Sequence, residues 1–154
     1  MSFLIYGASG YTGKLIVESA VKQGLKPTLA GRTESKIQPL AKEFGLDYLV
    51  FGLDNIDEIA KHLKSFPLVL NCAGPFSRTA KPMIKACLQA GTHYLDITGE
   101  IEVFELAKSY HQQAKDKNII VMSGVGFDVV PTDCMAKYLH TQLPDATHLE
   151  LAFL

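Results

Sequence analysis

Short apolar runs alternate with amphipathic stretches along almost the whole chain. The runs near Phe3–Tyr6, Thr28–Ala30, Tyr48–Phe51, Leu68–Asn71, Tyr94–Ile97 and Ile119–Met122 lack a clean in–out alternation. Strands read this way when helices cover both faces of their sheet. Between them, apolar residues recur at helical spacing near Lys14–Gln23, Glu34–Glu43, Ile56–Lys64, Ala80–Gln89 and Glu102–Lys115, and again from Thr132 to about Gln142. Strands and helices in strict turn, joined by short connections, predict an α/β fold: a doubly wound parallel sheet in three layers. Right-handed crossovers make 3-2-1-4-5-6 the default strand order. This pattern fills residues 1–145. Beyond Pro144 and Asp145, the segment His148–Leu154 alternates like the opening of another strand. Residues 146–154 are therefore expected to lead toward a further domain, with an edge strand that ends the fold as the other reading.

The first strand runs into Gly7-Ala8-Ser9-Gly10-Tyr11-Thr12-Gly13, and a helical pattern starts at once. Strand, tight turn and helix start together point backbone N–H groups and the positive end of a helix dipole at one spot. A pyrophosphate suits that spot. The spacing G-x-x-G-x-x-G is a variant of the dinucleotide fingerprint of Rossmann-type sheets. Gly7 permits the turn, Gly10 lets phosphate approach the backbone, and Gly13 lets the helix pack on the sheet. Ser9 and Thr12 offer hydroxyls, and Tyr11 can lie over the cofactor. Three spaced glycines alone also occur in ligand-free turns; their place between strand and helix favours a cofactor.

The second strand ends in Leu29-Ala30-Gly31-Arg32-Thr33-Glu34-Ser35-Lys36. NAD enzymes usually carry an acidic residue here, on the ribose 2′-OH. Arg32 stands there instead, and a guanidinium suits a 2′-phosphate. Thr33 and Lys36 add donors, so NADP(H) is favoured over NAD(H). Glu34 fits the first turn of a helix. After the third strand, Asp54 either meets the adenine amino group or caps the next helix.

The fourth strand runs into Asn71-Cys72-Ala73-Gly74-Pro75-Phe76. Strands one and four flank the crevice where the sheet order reverses, and ligands lie outside the carboxyl ends of the strands there. Ala73 and Gly74 are small enough for close approach on the nicotinamide side. Asn71 and Cys72 can bond the ribose or satisfy the strand end. A nucleophilic role for Cys72 would need a base such as His93 or His111 beside it; a buried structural thiol is the plainer reading. Asp96, Glu100 and Asp128 can orient a substrate or move a proton, and can equally cap helices or tie loops.

Composition narrows the partners. Among 154 residues, 47% are hydrophobic and 20% charged, and the net charge is −1. With no basic run, nucleic acid is not an expected partner, and no apolar stretch has the length of a membrane span. Three scattered cysteines suggest free thiols in a reducing, cytoplasmic setting and no metal site. Sheets of this kind often pair through helices or edges, so self-association stays open, with no face selected.

Taken together, Gly7–Gly13, Ala30-Gly31-Arg32, Asn71–Phe76, Tyr94-Leu95-Asp96-Ile97-Thr98-Gly99-Glu100 and Gly126-Phe127-Asp128-Val129-Val130-Pro131-Thr132-Asp133 cover nearly the whole chain in order. The chain resembles the NADP-binding domain of saccharopine dehydrogenase-like oxidoreductases, in the branch that includes the trans-acting enoyl reductases. The resemblance implies a nicotinamide-dependent oxidoreductase whose small-molecule substrate is met partly by a second domain. It leaves the substrate and catalytic residues open. The alternative is a non-catalytic NADP-binding sensor. A Tyr-x-x-x-Lys pair would have pointed to short-chain dehydrogenases, and no tyrosine here has a lysine four positions on.

Overall fold

A computed structural model of the chain describes residues 3–152. Six strands form one parallel sheet: β1 (Leu4–Tyr6), β2 (Thr28–Gly31), β3 (Tyr48–Val50), β4 (Leu68–Asn71), β5 (His93–Asp96) and β6 (Val121–Met122). Their order is β3-β2-β1-β4-β5-β6, the default for this topology. β1 pairs with β2 on one side, Tyr6 beside Ala30, and with β4 on the other, Tyr6 beside Asn71.

Successive strand residues face opposite layers, which explains why the strands read as continuous apolar runs. Ile5 and Leu29 meet Val17 of helix α1 (Tyr11–Lys22) and Ile37, Leu40 and Ala41 of helix α2 (Glu34–Phe44). Leu4, Tyr6, Ala30 and Val69 face the other layer. That layer is built by α3 (Ile56–Leu63), α4 (Phe76–Ala90), α5 (Ile101–Ser109) and α6 (His111–Asp116).

Most boundaries fall within two residues of the expected ones, and three departures have physical causes. Helix α4 begins at Phe76, four residues before the expected Ala80, which leaves Pro82 inside it. Its first N–H groups are held by a side chain from a different loop, Glu100. The expected single helix at Glu102–Lys115 breaks at Tyr110, whose φ of −92° and ψ of 2° leave the helical region. There the Tyr110 N–H closes a tight turn onto Ala107 O (3.1 Å), and α6 starts afresh. Third, the alternating segment near the C-terminus shows no strand over residues 146–152, all of them exposed. A strand needs a neighbour to complete its ladder, and none lies beside it among the described residues. Phe153 and Leu154, the rest of that segment, lie outside the described residues. The last helix, α7 (Val130–Gln142), buries none of its residues.

Candidate functional site

The β1–α1 turn builds a cradle from backbone alone. Gly7 adopts φ +80°, and a Cβ added there would lie 2.7 Å from Ala73 N. The turn therefore touches the loop after β4. Gly13 is buried against Gly7 O and Ala8, where a side chain would collide with backbone. Gly10, by contrast, is open to solvent. Gly7 and Gly13 thus have the turn and packing roles expected of them.

The turn consumes only some of its own donors. Gly7 N donates to Ala30 O (2.8 Å), Ala8 N to the same oxygen (3.3 Å) and Gly10 N to Gly7 O (3.0 Å). Among the described residues nothing accepts from the N–H groups of Ser9, Tyr11, Thr12 and Gly13. No side chain caps α1, and its first turn holds no acidic residue. Helices α3 and α4 satisfy such donors with a side chain. Asn55 Oδ1 accepts from Asp57 N (3.0 Å) and Glu58 N (3.3 Å) at the start of α3. Asn55 is therefore the cap of α3, and the capping role considered for Asp54 goes to its neighbour, which directly precedes the first helical residue. Tyr11 and Thr12 are exposed beside the free donors, and Ser9 is half-buried.

At the ends of β2 and β3, Arg32, Thr33, Lys36 and Asp54 are all exposed. No carboxylate pairs with Arg32 or Lys36 among the described residues. Glu34 instead accepts from Tyr48 OH (3.1 Å). Arg32 and Asp54 both act on Tyr6, whose hydroxyl donates to Phe51 O (3.0 Å). Burial raises the Tyr6 pKa, the Arg32 charge lowers it and the Asp54 charge raises it. The cation and the acid thus flank the same strand end.

The loops after β4, β5 and β6 are laced together. Asp96, fully buried, accepts from Tyr94 OH (2.7 Å), Ser123 Oγ (2.9 Å), Thr98 N (3.0 Å) and Gly124 N (3.0 Å). Tyr94 OH accepts from Asn71 Nδ2 (3.3 Å), and Asn71 Oδ1 accepts from Ala73 N (3.1 Å). Thr79 Oγ1 accepts from Asn71 Nδ2 (3.3 Å) and donates to Ala73 O (2.6 Å). Thr98 Oγ1 accepts from Glu100 N (3.0 Å), and the Glu100 carboxylate accepts from Phe76 N (2.7 Å) and Ser77 N (2.8 Å). The chain of bonds closes on α4. Desolvation pushes the Glu100 pKa up, but the bonds from Phe76 and Ser77 outweigh it and hold that carboxyl below the usual range. Burial, then the Asp96 charge, pushes the Tyr94 hydroxyl up.

Asp96 and Glu100 therefore tie loops and cap a helix, one of the two roles open to them. Asp128 is exposed, with its carboxylate packed over Gly99 and Gly126. Asn71 is buried and its side chain is committed within this lacing. Cys72 packs toward the α1–α2 layer. Burial, then the Asp96 charge, raises its thiol to about 12, which leaves almost no nucleophilic thiolate. His93 pairs with Leu68, four residues or roughly 13 Å along the strand from Cys72, and its Nδ1 accepts from Ile120 N (2.9 Å). His111 lines a different feature, an open groove of about 540 Å³ beside β6 with Phe104, Ala107, Ala114 and Ile119. Neither histidine is the base that a Cys72 nucleophile would need. Sequence reasoning missed Tyr94, Thr98, Thr79 and Ser123. The one local signal was the i, i+2 spacing of Tyr94, Asp96 and Thr98, which puts all three on one strand face.

Among the described residues no helix is long and apolar enough to cross a membrane, and no cluster of His, Cys, Asp or Glu is placed to hold a metal ion.

Residues 3–122 match the family described as saccharopine dehydrogenase NADP binding domain. A mouse saccharopine dehydrogenase-like oxidoreductase is 31% identical over 165 residues, covering 91% of this chain and 37% of that protein. A Mycobacterium bovis trans-acting enoyl reductase is 30% identical over 138 residues, covering 84% of this chain and 33% of its own length. Among solved structures, apo saccharopine dehydrogenase (L-Glu forming) from Saccharomyces cerevisiae superposes with a TM-score of 0.79 at 18% identity, covering 94% of this chain and 32% of that one. The chain thus spans little more than a third of the curated relatives it matches.

Proposed function

The chain belongs to the family of saccharopine dehydrogenase NADP-binding domains, and from that premise we propose that it is the cofactor domain of an NADP(H)-dependent oxidoreductase acting on a small-molecule substrate. One observation carries the reading: among the described residues, nothing accepts from the four N–H groups of Ser9, Tyr11, Thr12 and Gly13 at a helix start with no acidic residue. Unsatisfied donors at a helix N-terminus are costly unless an anion or water takes them. The donor set fits a pyrophosphate.

The remaining residues fit the rest of the cofactor. Arg32 and Lys36, exposed and without carboxylate partners among the described residues, would hold the 2′-phosphate, with Thr33 beside them. Asp54 would lie toward the adenine and the Ala73–Gly74 backbone toward the nicotinamide. When bound, NADP(H) donates or accepts the hydride at its nicotinamide ring. The protein's part is to grip, orient and charge-match it. Cys72 is assigned no chemical role beyond lining this wall.

The test is a titration of the chain with NADPH and NADH, followed by nicotinamide fluorescence, with wild type and Arg32→Asp. The expected result is tighter NADPH than NADH binding. Arg32→Asp should weaken NADPH roughly 10–100-fold, the loss of about 1.5–3 kcal/mol from a charge-assisted bond, and leave NADH nearly unchanged. Equal binding of both cofactors, indifferent to Arg32, refutes the cofactor preference.

A further inference from the structure

We propose that Asp96 is a positioning residue for the nicotinamide half of the cofactor, acting at a distance through Tyr94 and Asn71 on the Ala73 backbone. The inference rests on the cofactor reading above and adds the part of the protein that sets the far wall of the crevice.

Four donors and no acceptor face the Asp96 carboxylate: two backbone N–H groups on Oδ1, two hydroxyls on Oδ2. This is the arrangement that suits an acceptor-only carboxylate. Tyr94 has a single hydroxyl proton. With that proton given to Asp96, its oxygen must accept, and Asn71 Nδ2 supplies the bond. The orientation of the Asn71 amide follows. Its nitrogen faces the Tyr94 and Thr79 hydroxyls, so its oxygen is left for Ala73 N. Thr79, oriented by the same amide, gives its proton to Ala73 O at 2.6 Å. The backbone N–H and C=O of Ala73 are thereby both held, by Asn71 and Thr79, whose orientation leads back through Tyr94 to Asp96.

Ala73 matters because of what it touches. Its backbone lies against Gly7, closely enough that Gly7 has no room for a Cβ. Ala73 is thus the point where the phosphate turn meets the opposite wall. Replacing one carboxylate oxygen of Asp96 by an amide nitrogen puts a donor against donors. If Tyr94 then turns its proton toward Asn71, the Asn71 nitrogen loses an acceptor and the amide is driven to flip, away from Ala73. The adenine end, built by Arg32 and Lys36 at the far side of β1, shares no bond with this path.

The experiment compares NADPH with adenosine 2′,5′-bisphosphate, which carries the adenine and the 2′-phosphate but no nicotinamide. Both are titrated into wild type, Asp96→Asn, Tyr94→Phe and the double variant. The bisphosphate should bind all four within about twofold. Each single variant should bind NADPH about tenfold more weakly, as expected for a lost hydrogen bond, with a smaller change in nicotinamide fluorescence. The double variant should lose little more than either single one, because both cut the same path. If Asp96→Asn does not fold, Tyr94→Phe, which removes only a hydroxyl, carries the test alone. Unchanged NADPH affinity in Tyr94→Phe overturns the proposal, as does an equal loss of both ligands. Failure of wild type to bind the bisphosphate fails the cofactor reading itself.

Discussion

Replacing Gly7 by alanine should cost far more than replacing another glycine of similar φ, and the difference measures the contact between the β1–α1 turn and the loop after β4. Gly7 and Gly24 have nearly equal φ, +80° and +75°. Each alanine would be forced into the left-handed region, at about 1–2 kcal/mol. Part of that is offset by the lower entropy of the unfolded alanine chain, about 0.4–1 kcal/mol. The surroundings differ. A Cβ on Gly24 meets nothing within 4 Å, while one on Gly7 lies 2.7 Å from Ala73 N and 2.9 Å from Ala73 Cα. Backbone cannot rotate aside as a side chain can, so the overlap adds about 1–3 kcal/mol. With a urea m-value of about 2 kcal/mol/M, Gly7→Ala should unfold roughly 0.5–1.5 M earlier than Gly24→Ala. Urea titrations of both variants and wild type, followed by circular dichroism, read this directly. Midpoints for the two variants within about 0.2 M of each other would refute the claim that turn and loop are packed backbone to backbone.

Three further expectations follow from the same structure. Because the Glu100 pKa lies below its ordinary value, its cap stabilises the fold above the usual carboxylate range and is lost as pH falls through the folded value. Urea midpoints of wild type and Glu100→Gln should differ at neutral pH and converge as pH falls below the usual carboxylate range; a gap independent of pH would count against the capping account. With its thiol near 12, Cys72 is about one part in ten thousand thiolate at pH 8. Ellman's reagent should therefore label exposed Cys134 at least about a hundred times faster, and comparable rates at Cys72 would contradict its burial. Finally, Asn55→Ala should remove the α3 cap at about 1 kcal/mol, whereas Asp54→Ala should leave stability nearly unchanged, as paired thermal melts would show.

What was legible in the sequence was local. The order of apolar runs implied the sheet, its strand order and the helices on each side. The glycine spacing placed the turn, because a strand end, a positive φ and a helix start all lie within a few residues. The end of β2, with Arg32 just beyond it, was readable from the apolar run before it. What escaped reading was non-local. The start of α4 depends on Glu100, a side chain 24 residues downstream of Phe76, so no window around Pro75 contains its signal. Asp96 showed two equal faces in the sequence. Its role was decided by sheet order, which brings Ser123 and Asn71 to the same edge as β5. The break at Tyr110 rests on that residue's own backbone angles and a tight turn onto Ala107, which periodicity alone does not register.

Helix α7 carries a different lesson. Its 13 residues bury no side chain, and a helix of that length has little stability of its own in water. Its backbone hydrogen bonds should therefore open without disturbing the sheet. In deuterated solvent, amides of residues 130–142 should exchange through local fluctuations, while those of β1 and β4 wait for global unfolding. The polypeptide then behaves as two thermodynamic layers, a cooperative unit running through β6 and an appended segment whose order is conditional. Any surface that packs on Val130, Met135 or Tyr138, each about half exposed or more, would show itself first as slowed exchange in that segment alone.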